Sequence, residues 1–197
     1  MPRWSQLAAI YALLGIAAGA VAMFWRGTPW AHPEPWLRLS PAAAHLYSAL
    51  LGLTVGLGVA MSTRPLVARF EWARRLSDEL RPVARQMSTA GIVAVALLSA
   101  AGEELLFRSV VQPAAGLWIQ ALLFGLAHQL PGRARWVWVS WAAVMGLVLG
   151  AMFQLTGSLL GPVLAHAAIN GLNLRYLREH DPAPRRRPMG GLLDQRG

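Results

Sequence analysis

The chain contains no cysteine and no lysine. The first absence excludes disulfide bridges and thiolate metal ligands, and it leaves the compartment open. The second makes all 18 basic residues arginine. Acids are scarce too, nine in 197 residues, and charged residues of both signs amount to 14% where a soluble domain carries about 25%. Signatures of the common nucleic-acid-binding modules are missing. The net charge of +9 comes from arginines that flank apolar runs, so it is read as membrane topology and no nucleic-acid partner is expected. No internal repeat is detectable, and no pair of helices is broken by Gly and Pro in corresponding places; both absences argue against an inverted-repeat transporter. Two histidines on one helix with a glutamate between them, the usual zinc-protease spacing, are also absent.

What is present is hydrophobic: 55% of the chain, gathered into runs of spanning length. The expected fold is an all-α polytopic membrane bundle of about six transmembrane helices plus one interfacial helix. The runs fall near Trp4–Trp25, Pro41–Met61, Thr89–Val111, Leu117–Leu130, Trp136–Leu155 and Leu159–Leu177. Pro41 suits a first helical turn. Gly52, Gly56 and Gly58 offer a small-residue face for close packing. Ala18-Gly19-Ala20 resembles a signal-peptide cleavage site, but the apolar run continues to Phe24, which favours a retained helix. Between the second and third runs, Leu66, Phe70, Ala73, Leu76, Leu80 and Ala84 recur every three or four positions among arginines. That pattern predicts an amphipathic surface helix over 63–88, bent near Pro82. The organisation is thus two N-terminal spans (1–62), the interfacial helix (63–88), a four-helix core (89–177) and a disordered basic tail (178–197). Six spans put both termini on one side. Fifteen arginines then share that side and only Arg26 and Arg38 the other, so the positive-inside rule places both termini in the cytoplasm. Trp136, Trp138 and Trp141 read as an interfacial aromatic belt.

Ionisable side chains inside a bilayer cost several kcal/mol each and mark function. Here they are Glu103, Glu104, Arg108, His128 and His166, all in the four-helix core. Counted from the turns expected at Pro113–Gly116 and Thr156–Ser158, the residues Glu103, His128 and His166 all lie roughly 12–18 Å from one face. Glu104 and Arg108 are spaced i, i+4 and can pair, while Glu103 points about 100° away and stays free. Phe124 with His128, and His166 with Asn170, repeat the i, i+4 spacing. A carboxylate with two imidazoles supports two chemistries. Glu103 could serve as general base on a water attacking a peptide carbonyl, with the histidines and Asn170 on the oxyanion. Alternatively Glu103, His128 and His166 could hold Zn²⁺ with one position open. Asn173 is a neighbour of this cluster.

Glu103-Glu104-Leu105-Leu106-Phe107-Arg108 resembles an EExxxR motif, Phe124–His128 an FxxxH motif and His166–Asn170 an HxxxN motif. Their ordered occurrence on three membrane helices resembles the CAAX protease and bacteriocin-processing (Abi) family of intramembrane endopeptidases, over about residues 89–177. The resemblance implies an all-α membrane bundle in a prokaryotic cytoplasmic membrane. It implies Glu103 as water activator, Glu104 paired with Arg108 or assisting, and a site completed by His128, His166 and Asn170 around Phe124. It leaves the cofactor as zinc or none, with the metal-free glutamate mechanism slightly favoured. The expected partner besides the bilayer is a membrane-anchored protein or peptide. Longer members have eight helices, so a prenylated substrate is not the leading expectation. A non-enzymatic immunity or scaffold protein and a proton-coupled transporter are the competing readings.

Overall fold

The computed structural model describes residues 4–180. The basic tail expected over 178–197 lies outside those residues from 181 onward, as does Arg3. Among the described residues the chain is helical: α1 (Trp4–Arg26), α2 (Pro41–Arg69), α3 (Glu71–Arg85), α4 (Thr89–Leu106), a π-helical turn (Phe107–Val111), α5 (Gln112–Ala127), α6 (Arg135–Thr156) and α7 (Leu160–Glu179). Local chemistry sets the starts. Ser40 Oγ accepts from the amide of Ala43 ahead of Pro41, and Ser88 Oγ accepts from that of Gly91.

The burial pattern is that of a membrane protein. Ile16, Phe24 and Trp118 are 70%, 94% and 73% exposed, whereas Glu104 and Arg108 are fully buried. Apolar side chains facing outward around an ionic interior are stable only where the surroundings are lipid. Four stretches are long and apolar enough to cross a membrane: Trp4–Arg26, Pro41–Arg69, Thr89–Ala127 and Arg135–Thr156. The third covers 39 residues, about 58 Å if straight, nearly twice a hydrocarbon core. It is broken at Gly116, whose φ of 84° and ψ of 169° suit a residue without Cβ. The turn expected over Pro113–Gly116 is therefore confined to Gly116, and Pro113 is carried inside the helix directly after the π-helical turn. Helix α7 falls short of spanning composition because it carries His166, Asn170, Asn173, Arg175 and Arg178.

Helix α7 packs on α2, α4, α3 and α6, with α1 against α4 and α5 against α6. The α2–α7 contact is backbone-close: a Cβ at Gly52 would lie 2.2 Å from the Gly161 carbonyl oxygen, and one at Gly56 2.8 Å from Ala165 Cα. Gly58, grouped with them from sequence, faces open space, since it lies two residues on and off that face. Gly52→Ala is expected to destabilise the fold by about 1–3 kcal/mol through overpacking while Gly58→Ala is near neutral; thermal melts of the two solubilised variants check this.

The amphipathic segment is divided differently from the sequence expectation. Helix α2 runs through Pro65 to Arg69, and the chain breaks at Phe70 (φ −113°, ψ 132°). Helix α3 then continues unbroken through Pro82. The carbonyl that Pro82 cannot serve belongs to Asp78, whose side chain is 58% exposed. At the opposite end, the segment 27–40 ties the α6–α7 turn: the amides of His32 and Trp36 donate to Gly157 and Gln154, and Leu159 N–H donates to Trp30.

Candidate active site

Helix α4 delivers the two acids, and the π-helical turn that follows aims the arginine. One extra residue per turn at Phe107–Val111 leaves Arg108 with its Nε 2.9 Å from Glu104 Oε2, both side chains fully buried. The second oxygen of Glu104 accepts from His166 Nδ1 at 2.7 Å. Glu104 thus stands behind His166 and does not line the cavity. It neutralises Arg108 and fixes the imidazole's orientation. Arg108 also lies 4.6 Å from the centroid of the Phe124 ring, and the His128 ring meets the same phenyl group tilted by 37° at 4.4 Å. Phe124 was expected from sequence as a structural, orienting residue of the site. It is buried, and it also gives the guanidinium an aromatic face in a place without water.

Glu103 points the other way, as its 100° offset predicts. Its Oε2 lies 3.2 Å from His128 Nε2 and 3.9 Å from His166 Nε2. His128 comes directly after the last residue of α5 and is nonetheless 19% exposed at its side chain, not solvated at an interface. Helix α5 ends at Ala127, eleven residues after its break at Gly116, and so stops at the depth of Glu103. His128 Nδ1 donates to the Phe124 carbonyl at 2.8 Å. With both Nδ1 protons committed, a neutral His128 would face the Glu103 carboxylate with a lone pair. A protonated His128 would instead present an N–H to Glu103 Oε2. Asn170, one turn beyond His166, donates from Nδ2 to Ser99 Oγ at 3.0 Å.

These groups line one cavity of about 280 Å³ that extends from Glu103 to the underside of α3. Its opposite wall is apolar, with Trp72, Leu76 and Leu80 of α3 and Trp141 and Met145 of α6. Trp138 and Trp141, assigned from sequence to an interfacial belt, turn inward; Trp138 meets His128 edge-on at 5.9 Å. Trp136 alone of the three faces out, at 65% exposure. The three cannot share a helix face, because Trp136 and Trp138 are two residues apart.

Sequence reasoning missed Tyr11. This α1 residue lines the cavity together with Glu103. A Cβ at Gly102 would lie 2.6 Å from the Tyr11 carbonyl oxygen, so the glycine preceding Glu103 is what lets α1 approach. The available signal was that Tyr11 is the one hydroxyl-bearing residue between Gln6 and Arg26 of an otherwise apolar helix.

Among the described residues, no three His, Cys, Asp or Glu side chains stand in a group that could hold a metal ion. The zinc set weighed from sequence, Glu103, His128 and His166, is not assembled as a ligand sphere in this arrangement.

Residues 85–172 match the family described as type II CAAX prenyl endopeptidase Rce1-like. The resemblance read from the three motifs is borne out over that segment. It contains Glu103, Glu104, Arg108, Phe124, His128, His166 and Asn170, and leaves out Tyr11. The chain is also similar to the "Uncharacterized protein YpbD" of Bacillus subtilis (strain 168), 34% identical over 90 residues, which are 45% of this chain and 47% of that protein. The chain thus spans about half the length of the curated relative it matches. No solved structure matches it significantly. The Rce1-like match supports a membrane endopeptidase in the coarse sense; what it cuts, and how, is a matter for the site itself.

Proposed function

We propose that the protein is an intramembrane endopeptidase that hydrolyses a peptide bond of a membrane-anchored protein or peptide with a glutamate-activated water. The observation that carries this reading is the convergence of Glu103, His128, His166 and Asn170 on one cavity between helices, with a buried Glu104–Arg108 pair behind it. The 3.9 Å between Glu103 Oε2 and His166 Nε2 is too long for a hydrogen bond, and one water oxygen can touch both. Glu103 takes a proton from that water as its oxygen bonds to the carbonyl carbon. The developing oxyanion is met by the remaining Nδ2–H of Asn170 and by an imidazole in its protonated form. The proton then passes to the amide nitrogen as the C–N bond breaks, leaving a new carboxylate and a new amine. The arginine distribution supports a cavity that opens on the cytoplasmic side through the end bearing α3.

The test compares wild type with Glu103→Ala and His166→Ala in cells, profiling membrane-protein C-termini by mass spectrometry. A set of termini lost in both variants, at unchanged protein level, is the expected result. If no terminus changes, the cluster serves binding or immunity and the peptidase reading fails. Solubilised wild type should keep forming those termini in a zinc chelator such as 1,10-phenanthroline. Loss that zinc restores would assign Glu103, His128 and His166 as ligands in a rearranged site.

A further inference from the structure

Beyond Asn170 the polar wall of the cavity continues. Asn173, Thr63 and Ser99 all line it, although neither Asn173 nor Thr63 belongs to the three motifs. His166, Asn170 and Asn173 stand at i, i+4 and i+7 on α7, one face of that helix. Thr63 of α2 donates from Oγ1 to Asn173 Oδ1 at 2.8 Å, which fixes the amide plane. The Nδ2 hydrogens of Asn173 have no acceptor among the described residues. A polar staple between α2 and α7 would need only the Thr63 contact. The remaining donor is instead presented to a cavity whose far wall is apolar.

An extended peptide entering such a cavity leaves water and must find partners for its main-chain groups on the polar side. The spacing supplies a register. Seven residues of α7 separate His166 from Asn173, about 10.5 Å along the helix, and an extended chain covers that distance in about three residues. We propose that Asn173, oriented by Thr63, is a substrate-binding residue that hydrogen-bonds the main chain about three residues from the scissile bond. This deepens the peptidase reading and rests on it. The wall composition assigns the substrate class: an extended segment with apolar side chains facing α3 and α6 and its backbone facing α7.

The experiment uses the full-length Glu103→Gln protein in its own membrane, with p-benzoylphenylalanine replacing Leu174, the next cavity-lining residue. After irradiation, adduct peptides are mapped by mass spectrometry and compared with the termini that wild type forms. The expected adducts fall within about three residues of those cut sites. Adding Asn173→Ala should lower their yield about three- to tenfold, the effect of one hydrogen bond, and Thr63→Val should lower it less. Unchanged yields in both variants, with the termini still dependent on Glu103, overturn the subsite and leave Asn173 a helix staple. Should Asn173→Ala fail to accumulate, Thr63→Val alone decides, since unchanged adduct yield in it equally overturns the proposal. The absence of any Glu103-dependent terminus would instead remove the peptidase reading itself, and the subsite with it.

Discussion

Arg108→Met is expected to unfold the protein or bring it close to unfolding. Arg108 and Glu104 are both fully buried, with Nε and Oε2 2.9 Å apart. Removing the arginine leaves a carboxylate among helices with no solvent to neutralise it. Breaking a buried pair from one side costs about 3–5 kcal/mol, a large share of a total stability of about 5–15 kcal/mol. The double variant Glu104→Gln/Arg108→Met removes both charges and should recover most of that loss, because the sites are in contact and their effects do not add. Recovery of fold is not recovery of function. Glu104 also accepts the Nδ1 proton of His166, and a glutamine there holds the imidazole less firmly. The predicted outcome is a double variant that melts near wild type in detergent and forms few of the wild-type termini. An Arg108→Met protein that melts within about 1 kcal/mol of wild type would show that the pair contributes little to the fold.

That pair was legible from sequence, because i, i+4 spacing on one helix is a local property. So was the separation of Glu103 from Glu104 onto different faces, and so were the starts of α2 and α4, each set by a serine cap and its neighbours. What was not legible depends on what lies opposite. Tyr11 joins Glu103 at the cavity only because Gly102 lets α1 close on α4, a contact between residues 91 positions apart. Trp138 and Trp141 face the cavity because α6 packs on α5 and α7, whereas sequence offers tryptophans near a helix start as belt residues with equal force. The break at Phe70 carries no glycine or proline of its own. Pro82 nearby attracts the predicted bend, and both it and Pro65 are absorbed within helices. Asn173 was visible as a neighbour of the site. Its partner Thr63 was not, since it was assigned to a surface segment and lies instead on the last turns of α2.

The contrast between adjacent acids gives the second large effect. Glu103→Gln keeps the side chain's size and removes its ability to take a proton. General-base catalysis is worth about 10²–10⁴-fold, so formation of the cut termini is expected to fall by at least a hundredfold. Stability should move little or rise. Glu103 lies on the cavity wall, 8% exposed at its side chain, beside imidazoles that need not be charged once it is neutral. A glutamine amide there can still meet His128 Nε2 without an unpaired buried charge. Glu103→Gln should therefore melt at or above the wild-type temperature while nearly inactive, without the second change that Arg108→Met needs to restore its fold. Stability purchased at the expense of activity is the signature of a residue whose charge is kept for chemistry. A Glu103→Gln protein that unfolds would place this acid with Glu104 in the structural interior. One that folds and still cuts at a tenth of the wild-type rate or more would move the base to another group of the cavity, of which His128 and His166 are the nearest.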